Sequence, residues 1–193
     1  MKNLVEITFI IDKSGSMCDL VDETIIGFNT MIKEQKKLEG EVVVNTVLFN
    51  HSLELLHKNE KLSNVKPITK EDYKTNGYTA LLDAIGVSIN KILMKHLSVS
   101  KEDRPNKTLF IITTDGEENS SKRFNYNSIS NLIAEVKKTY GYEFIFSGAN
   151  IDTKKEAEKL NIDEYFSYEA SDIGIFNNYE EMCMCIEEKR VRR

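Results

Sequence analysis

Two carboxylates and three hydroxyls carry the chemistry that this sequence could perform. The stretch "ITFIIDKSGSM" ends an apolar run on Asp12 and sets Ser14 and Ser16 at alternate positions after it. Three uses compete for such a cluster: capping a helix, supplying a nucleophile, or giving oxygen ligands to a metal ion. Farther along, "TNGYTALLDAIG" puts Thr79 at the start of a helical pattern, two residues after Gly77. "TLFIITTDGEE" ends another apolar run on Thr113, Thr114 and Asp115. Taken singly, each has an ordinary explanation. Thr79 reads as an N-cap, a loop serine as a cap, and Asp115-Gly116 as a turn.

What positions these residues is an alternation of strand-like and helix-like segments. "LVEITFIID", "EVVVNTVLFN", "LELLHKNEKL", "TLFIITTD", "YEFIFSGAN" and "EYFSY" read as strands. In "DETIIGFNTMIKEQKKL", Ile25, Ile26, Phe28, Met31 and Ile32 fall on one helical stripe, and Gly40 is expected to close that helix. "TALLDAIGVSINKILMKHL" is a strong amphipathic helix expected to start at Thr79. "NSISNLIAEVKKTYG" is a helix closed by Gly141, "DTKKEAEKL" a short helix capped by Asp152, and "IFNNYEEMCMCIEEK" a last helix. The tight Asn50-His51-Ser52 link permits only an antiparallel hairpin. The pattern predicts an α/β fold with a mainly parallel sheet, helices on both faces and one antiparallel edge strand. No repeat or long linker divides residues 1–193, so a single domain is expected.

In such a sheet, ligands bind beyond the C-terminal ends of the strands. If the first and fourth strands are neighbours, Asp12 and Asp115 share that edge. Two carboxylates close together in a partly dry crevice repel unless a shared proton or a cation intervenes. A divalent cation does this better, with Ser14, Ser16 and Thr79 completing an oxygen cage. Oxygen-only donors favour a hard ion, Mg2+ or else Mn2+ or Ca2+, over zinc or copper. Neutral hydroxyl ligands leave the ion electron-poor and ready to take one more anionic oxygen from outside.

Enzyme chemistry finds less support. A phosphatase using Asp12 as nucleophile would want a second Asp two residues on, where Ser14 stands. A serine hydrolase would want G-x-S-x-G, and the sequence reads K-S-G-S-M. Neither a P-loop nor a dinucleotide fingerprint is present. The chain is expected not to be an enzyme. With 26 basic against 31 acidic residues, the net charge of -5 argues against a nucleic-acid partner. No apolar stretch reaches the ~20 residues a membrane helix needs, and the N-terminus lacks a signal-peptide pattern. Three cysteines (Cys18, Cys183 and Cys185) make no disulfide framework. A cytoplasmic location follows as the expectation.

Together, Asp12, Ser14, Ser16, Thr79 and Asp115 resemble the metal-ion-dependent adhesion site (MIDAS) of von Willebrand factor type A domains: D-x-S-x-S, then Thr, then Asp. The resemblance runs from about Val5 to about Tyr168. The surroundings "FIIDKSGSM", "GYTALLDAIG", "ITTDGEENS" and "EFIFSGANID" are most similar to small stand-alone bacterial and phage members. It implies a Rossmann-like, doubly wound three-layer sandwich with a six-stranded sheet. It also implies Mg2+ above the sheet, completed by a Glu or Asp of a partner protein, and a C-terminal helix that in some members shifts with affinity. Any ATPase partner would be a separate chain. Tyr78, before Thr79, is expected to shape the rim. Asp19, Glu117 and Glu118 are expected to make that rim acidic. The rival reading keeps the fold but uses a metal-independent surface, for which the Met- and Cys-bearing last helix is the candidate.

Overall fold

A computed structural model describes residues 4–168 and 172–191. Six strands, β1 (Leu4–Asp12), β2 (Glu41–Phe49), β3 (Leu53–Lys61), β4 (Lys107–Thr114), β5 (Glu143–Ala149) and β6 (Glu164–Tyr168), form one sheet in the order β3-β2-β1-β4-β5-β6. All neighbours are parallel except β2 and β3, which the short Asn50–Ser52 link turns back on itself. The chain therefore winds outward both ways from β1, and the strand order reverses between β1 and β4.

Among the described residues, five α-helices cover the sheet: α1 (Val21–Gln35), α2 (Leu81–Leu97), α3 (Tyr126–Tyr140), α4 (Thr153–Lys159) and α5 (Asp172–Val191). Side chains alternate along each strand, so β1 feeds two cores. Val5, Ile7, Phe9 and Ile11 pack with Phe28 and Met31 of α1 and Met182 and Ile186 of α5. Ile10 packs with Leu82, Ile85 and Ile89 of α2, Ile129 and Ile133 of α3, and Ala157 of α4. Burying each such Ile, Leu or Phe contributes about 1.5–3 kcal/mol, which fixes the strand ends beneath the site.

Local signals set most helix ends. Asn125 and Ser128 form a reciprocal capping box at α3, and Gly141 closes it at φ 68°. Asp152 accepts from the Lys155 amide at 3.1 Å, as its type predicts. Two expectations shift. The first helix stops at Gln35, and turn backbone leads to Gly40 at φ 107°, so Gly40 serves the loop and not the helix end. Its stripe also narrows: Phe28, Met31 and Ile32 are buried, whereas Ile26 is 59% exposed. The second helix begins at Leu81, with Thr79 just upstream of it.

Candidate metal centre

β1 and β4 run side by side with Ile11 opposite Thr113. One step on, Thr114 Oγ1 donates to Asp12 Oδ2 at 2.6 Å. Asp12 Oδ1 accepts from the Ser14 amide at 2.7 Å, a tight local turn that starts the loop. From there a chain of oxygens crosses the sheet edge. Ser14 Oγ lies 3.2 Å from Ser16 Oγ, and Ser16 Oγ donates to Asp115 Oδ1 at 2.6 Å. Thr79 Oγ1 and Ser16 Oγ both lie within 3.5 Å of the point where a Cβ on Gly116 would stand. The fold thus brings all five sequence-predicted residues to one place. Asp12, Ser14, Thr79 and Asp115 are buried; Ser16 is exposed at the mouth.

Backbone contacts between loops hold this arrangement. The Gly15 amide donates to Gly77 O at 3.0 Å, and a Cβ at Gly15 would press to 3.3 Å on that same oxygen. Gly77 sits at φ 74°, and the His51 ring occupies the space its Cβ would need, 2.1 Å away. Only glycine fits there without strain. Asn50 Nδ2 reaches Asn76 Oδ1 at 2.6 Å, and the Ala80 amide donates to Asn50 O at 2.8 Å. Tyr73, buried, donates through its hydroxyl to the Asp12 carbonyl.

Sequence reasoning missed several positioning residues. Thr79 is gripped both ways by Asn119: its amide donates to Asn119 Oδ1 at 2.9 Å, and its carbonyl accepts from the Asn119 amide at 3.0 Å. Glu118 is not a rim charge. Its carboxylate turns inward and accepts from the amides of Ser120, Ser121 and Leu82 and from Ser121 Oγ, at 2.7–2.9 Å. It therefore caps α2 from another loop, the role expected of Thr79. Asp83 anchors the next residues, accepting from the amides of Lys122, Arg123 and Phe124. Asp19 and Glu117 do remain exposed, and Tyr78 is 69% exposed beside the centre.

The electrostatics are those of an uncompensated negative site. Burial, reinforced by Asp115, pushes Asp12 up to about 6 against the help of Thr114 and Ser14. Burial also raises Asp115, opposed by Ser16. Among the described residues neither carboxylate has an ion-pair partner, and Lys13, next in sequence to Asp12, turns to Glu54. No three His, Cys, Asp or Glu side chains among those residues gather as a metal cluster. The donor set is two carboxylates and three hydroxyls, which suits a hard cation. Adjacent corners of an octahedron built on Mg–O bonds are about 2.9 Å apart. The Ser14 Oγ–Ser16 Oγ separation, 3.2 Å, is near that spacing.

No protein-family model matches the sequence, and a search of curated proteins finds no match. Solved structures do match. A von Willebrand factor type A protein from Catenulispora acidiphila aligns with a TM-score of 0.61 at 14% identity, covering 94% of this chain and 42% of that one. The von Willebrand factor domain of the type V pilus tip protein Mfa5 from Porphyromonas gingivalis aligns with a TM-score of 0.64 at 12% identity, covering 100% and 98%. Proximal thread matrix protein 1 of the mussel byssus, with zinc in its MIDAS motif, aligns with a TM-score of 0.64 at 15% identity, covering 96% and 46%. The chain thus spans less than half of the first and last of these chains and nearly all of the Mfa5 domain. At this identity the likeness is one of fold, and that fold is the Rossmann-like type A fold.

Proposed function

We propose that this chain is a divalent-cation-dependent protein-binding module and not an enzyme. Ser14, Ser16 and Thr79 would hold the ion through neutral hydroxyls, with Asp12 and Asp115 behind them supplying charge. Asp12 has both oxygens engaged by protein donors, which suits that supporting place. Held by these neutral hydroxyls, a hard cation would supply Lewis-acid chemistry toward one more carboxylate oxygen. The chain's own residues keep the three hydroxyls converged and leave Ser16 at the open mouth. A Glu or Asp of a partner protein would complete the coordination.

The observation that carries this reading is the Ser14–Ser16–Asp115 oxygen chain beside a buried Asp12 that has no counter-cation among the described residues. A fold relative with zinc in its MIDAS supports divalent binding at this place, and it weakens the case against zinc made from donor type alone. Mg2+, with Mn2+ or Ca2+ as alternates, remains the ion we assign. Nucleophilic use of the serines is disfavoured, because Ser16 donates to a carboxylate and neither hydroxyl bonds an imidazole. Cys18, Cys183 and Cys185 are free. No helix among the described residues is long and apolar enough to cross a membrane. Both facts support our placing the protein in the cytoplasm, where a separate ATPase chain is one partner class to test.

The deciding experiment is affinity capture from the native host in Mg2+ and in EDTA, with wild type and Asp12→Ala. Partners held only by wild type in Mg2+ support the bridge. A second reading has its own observation: a cleft of about 770 Å3 between α1 and α5, edged by the exposed Ile26 and Met184. Partners that stay in EDTA and with Asp12→Ala would favour that metal-independent surface.

A further inference from the structure

Between α2 and the β2–β3 hairpin lies a cavity of about 370 Å3 that has no part in the cation centre. Its cause is local. The β2–β3 register slips between Val44 and Val47, and Asn59 takes a left-handed φ of 49° with its amide bound to Asn45 Oδ1 at 2.8 Å. Such a bulge bends the edge strand. Near it, Leu55 is 39% exposed.

The lining is graded from apolar to cationic. Val47, Leu55 and Ile92 give apolar walls, and Thr8, Asn45 and Ser88 add polar atoms within. Ser88 is 3% exposed, and its hydroxyl has no hydrogen-bond partner. A buried hydroxyl left so is costly, and it is the type of group a ligand or water satisfies. Lys58, Lys91 and Lys95 complete the lining. Lys95 is committed to Glu6 and Asn59. Lys58 and Lys91 are exposed and make no ion pair among the described residues.

We propose that this cavity binds a small amphiphilic anion, an apolar body of several carbons capped by a carboxylate or a phosphate. The body fills the space between Val47, Leu55 and Ile92; the headgroup meets Lys58 and Lys91. The volume is in the range of small-ligand sites, where few polar groups orient a mostly apolar molecule. No carboxylate is among the residues lining the cavity, and Glu6, the partner of Lys95, has both oxygens engaged by Lys95, His96 and Asn45.

Octanoate, octyl phosphate and octanol test this by titration into the full chain, followed by amide and methyl NMR shifts. The two anions are expected to saturate at about millimolar or tighter, with shifts centred on Leu55, Ser88 and Ile92. Comparing them tells which headgroup is preferred. Octanol should bind roughly tenfold more weakly, and the surface variant Lys58→Glu/Lys91→Glu should weaken both anions by about as much. Leu55→Glu, also at an exposed position, should abolish binding without unfolding the chain. Absence of saturable shifts, equal binding of octanol and octanoate, or binding unchanged in the charge-reversed variant would each overturn the proposal.

Discussion

Strand β1 carries two buried carboxylates, Glu6 and Asp12, and the protein treats them oppositely. Both are 0% exposed. Glu6 accepts from Lys95 Nζ at 2.6 Å and Asn45 Nδ2 at 2.8 Å, and lies 2.6 Å from His96 Nε2. Tyr142 meets the far side of that imidazole at 2.6 Å. Burial is the largest influence on Glu6 and pushes it up, yet the His96, Lys95 and Asn45 contacts together bring it below the usual range. Asp12 suffers the same burial with only hydroxyl and amide donors, and it stays raised at about 6. The difference is a counter-charge. At the N-terminal end of the sheet the protein supplies its own cation; at the C-terminal end no cationic side chain among the described residues pairs with Asp12. On the proposed reading, that carboxylate takes its counter-charge from a cation in solution.

The comparison can be broken from either side. The largest effect is expected at the closed end. Glu6→Ala strands Lys95 and His96 and should cost roughly 3–5 kcal/mol, read as a fall of about 10 °C in the thermal midpoint. A near-neutral result would mean that the buried network is not what holds that end together. At the open end, Mg2+ at a hundredfold excess over its dissociation constant should add about 2.7 kcal/mol to wild type and nothing to Asp115→Ala. Equal midpoints in Mg2+ and EDTA would remove the cation from the argument.

A pH series in EDTA sharpens the contrast. The folded chain holds the Asp12 proton up to about pH 6, whereas the unfolded chain releases it near 3.8. Folded Asp12 therefore binds more protons in that window, and stability should fall as pH rises through it, by on the order of 2–3 kcal/mol. Asp12→Asn should flatten this slope and, above pH 6, leave the ion-free protein more stable than wild type while abolishing its response to Mg2+. Calorimetry showing the same slope in both proteins would place the titration elsewhere. Gly77→Ala changes loop geometry without changing charge. It should cost about 1–2 kcal/mol from the left-handed φ alone and weaken the ion, measured by titration. Smallest of all, Lys13→Met should change stability by about 1 kcal/mol or less, because Glu54 is 52% exposed and water screens the pair from that side, while methionine keeps the packing of the mostly buried Lys13 stem. It should also leave Mg2+ affinity almost intact. A large gain in affinity would show that Lys13 had been serving Asp12 as a hidden counter-ion.

How much of this was legible in the sequence depended on distance along the chain. Strand ends announce themselves locally, as an apolar run stopping on Asp12 or on Thr114-Asp115. The alternation and the short Asn50–Ser52 link predict parallel strands with one antiparallel hairpin, while the adjacency of the first and fourth strands entered as a condition. The five oxygen residues are legible as local signals, and their convergence depends on that condition. Their supports are not legible. Asn119 gripping Thr79, Asn50 reaching Asn76 and Glu118 capping α2 are bonds across 26 to 40 residues. An Asn or Glu that will make such a bond has the same sequence signature as one left in water. The same blindness hid Glu6, whose partners Lys95 and His96 lie 89 and 90 residues away. Ile26 misled in the other direction. It falls on the helical stripe, yet it faces outward because Phe28 and Met31 already fill the ground between α1 and β1.

Glu118 has one more consequence. Its oxygens accept from the loop that carries Asp115 and from the first turn of the helix that follows Thr79. Loop and helix are therefore tied through Glu118, in addition to the Asp83 and Asn119 bonds, and are expected to open together. In amide exchange, Leu82, Ser120 and Ser121 should lose their protection at one common rate, as members of one opening unit. On the proposed cation reading, two of the three segments that carry its oxygens would then become competent together.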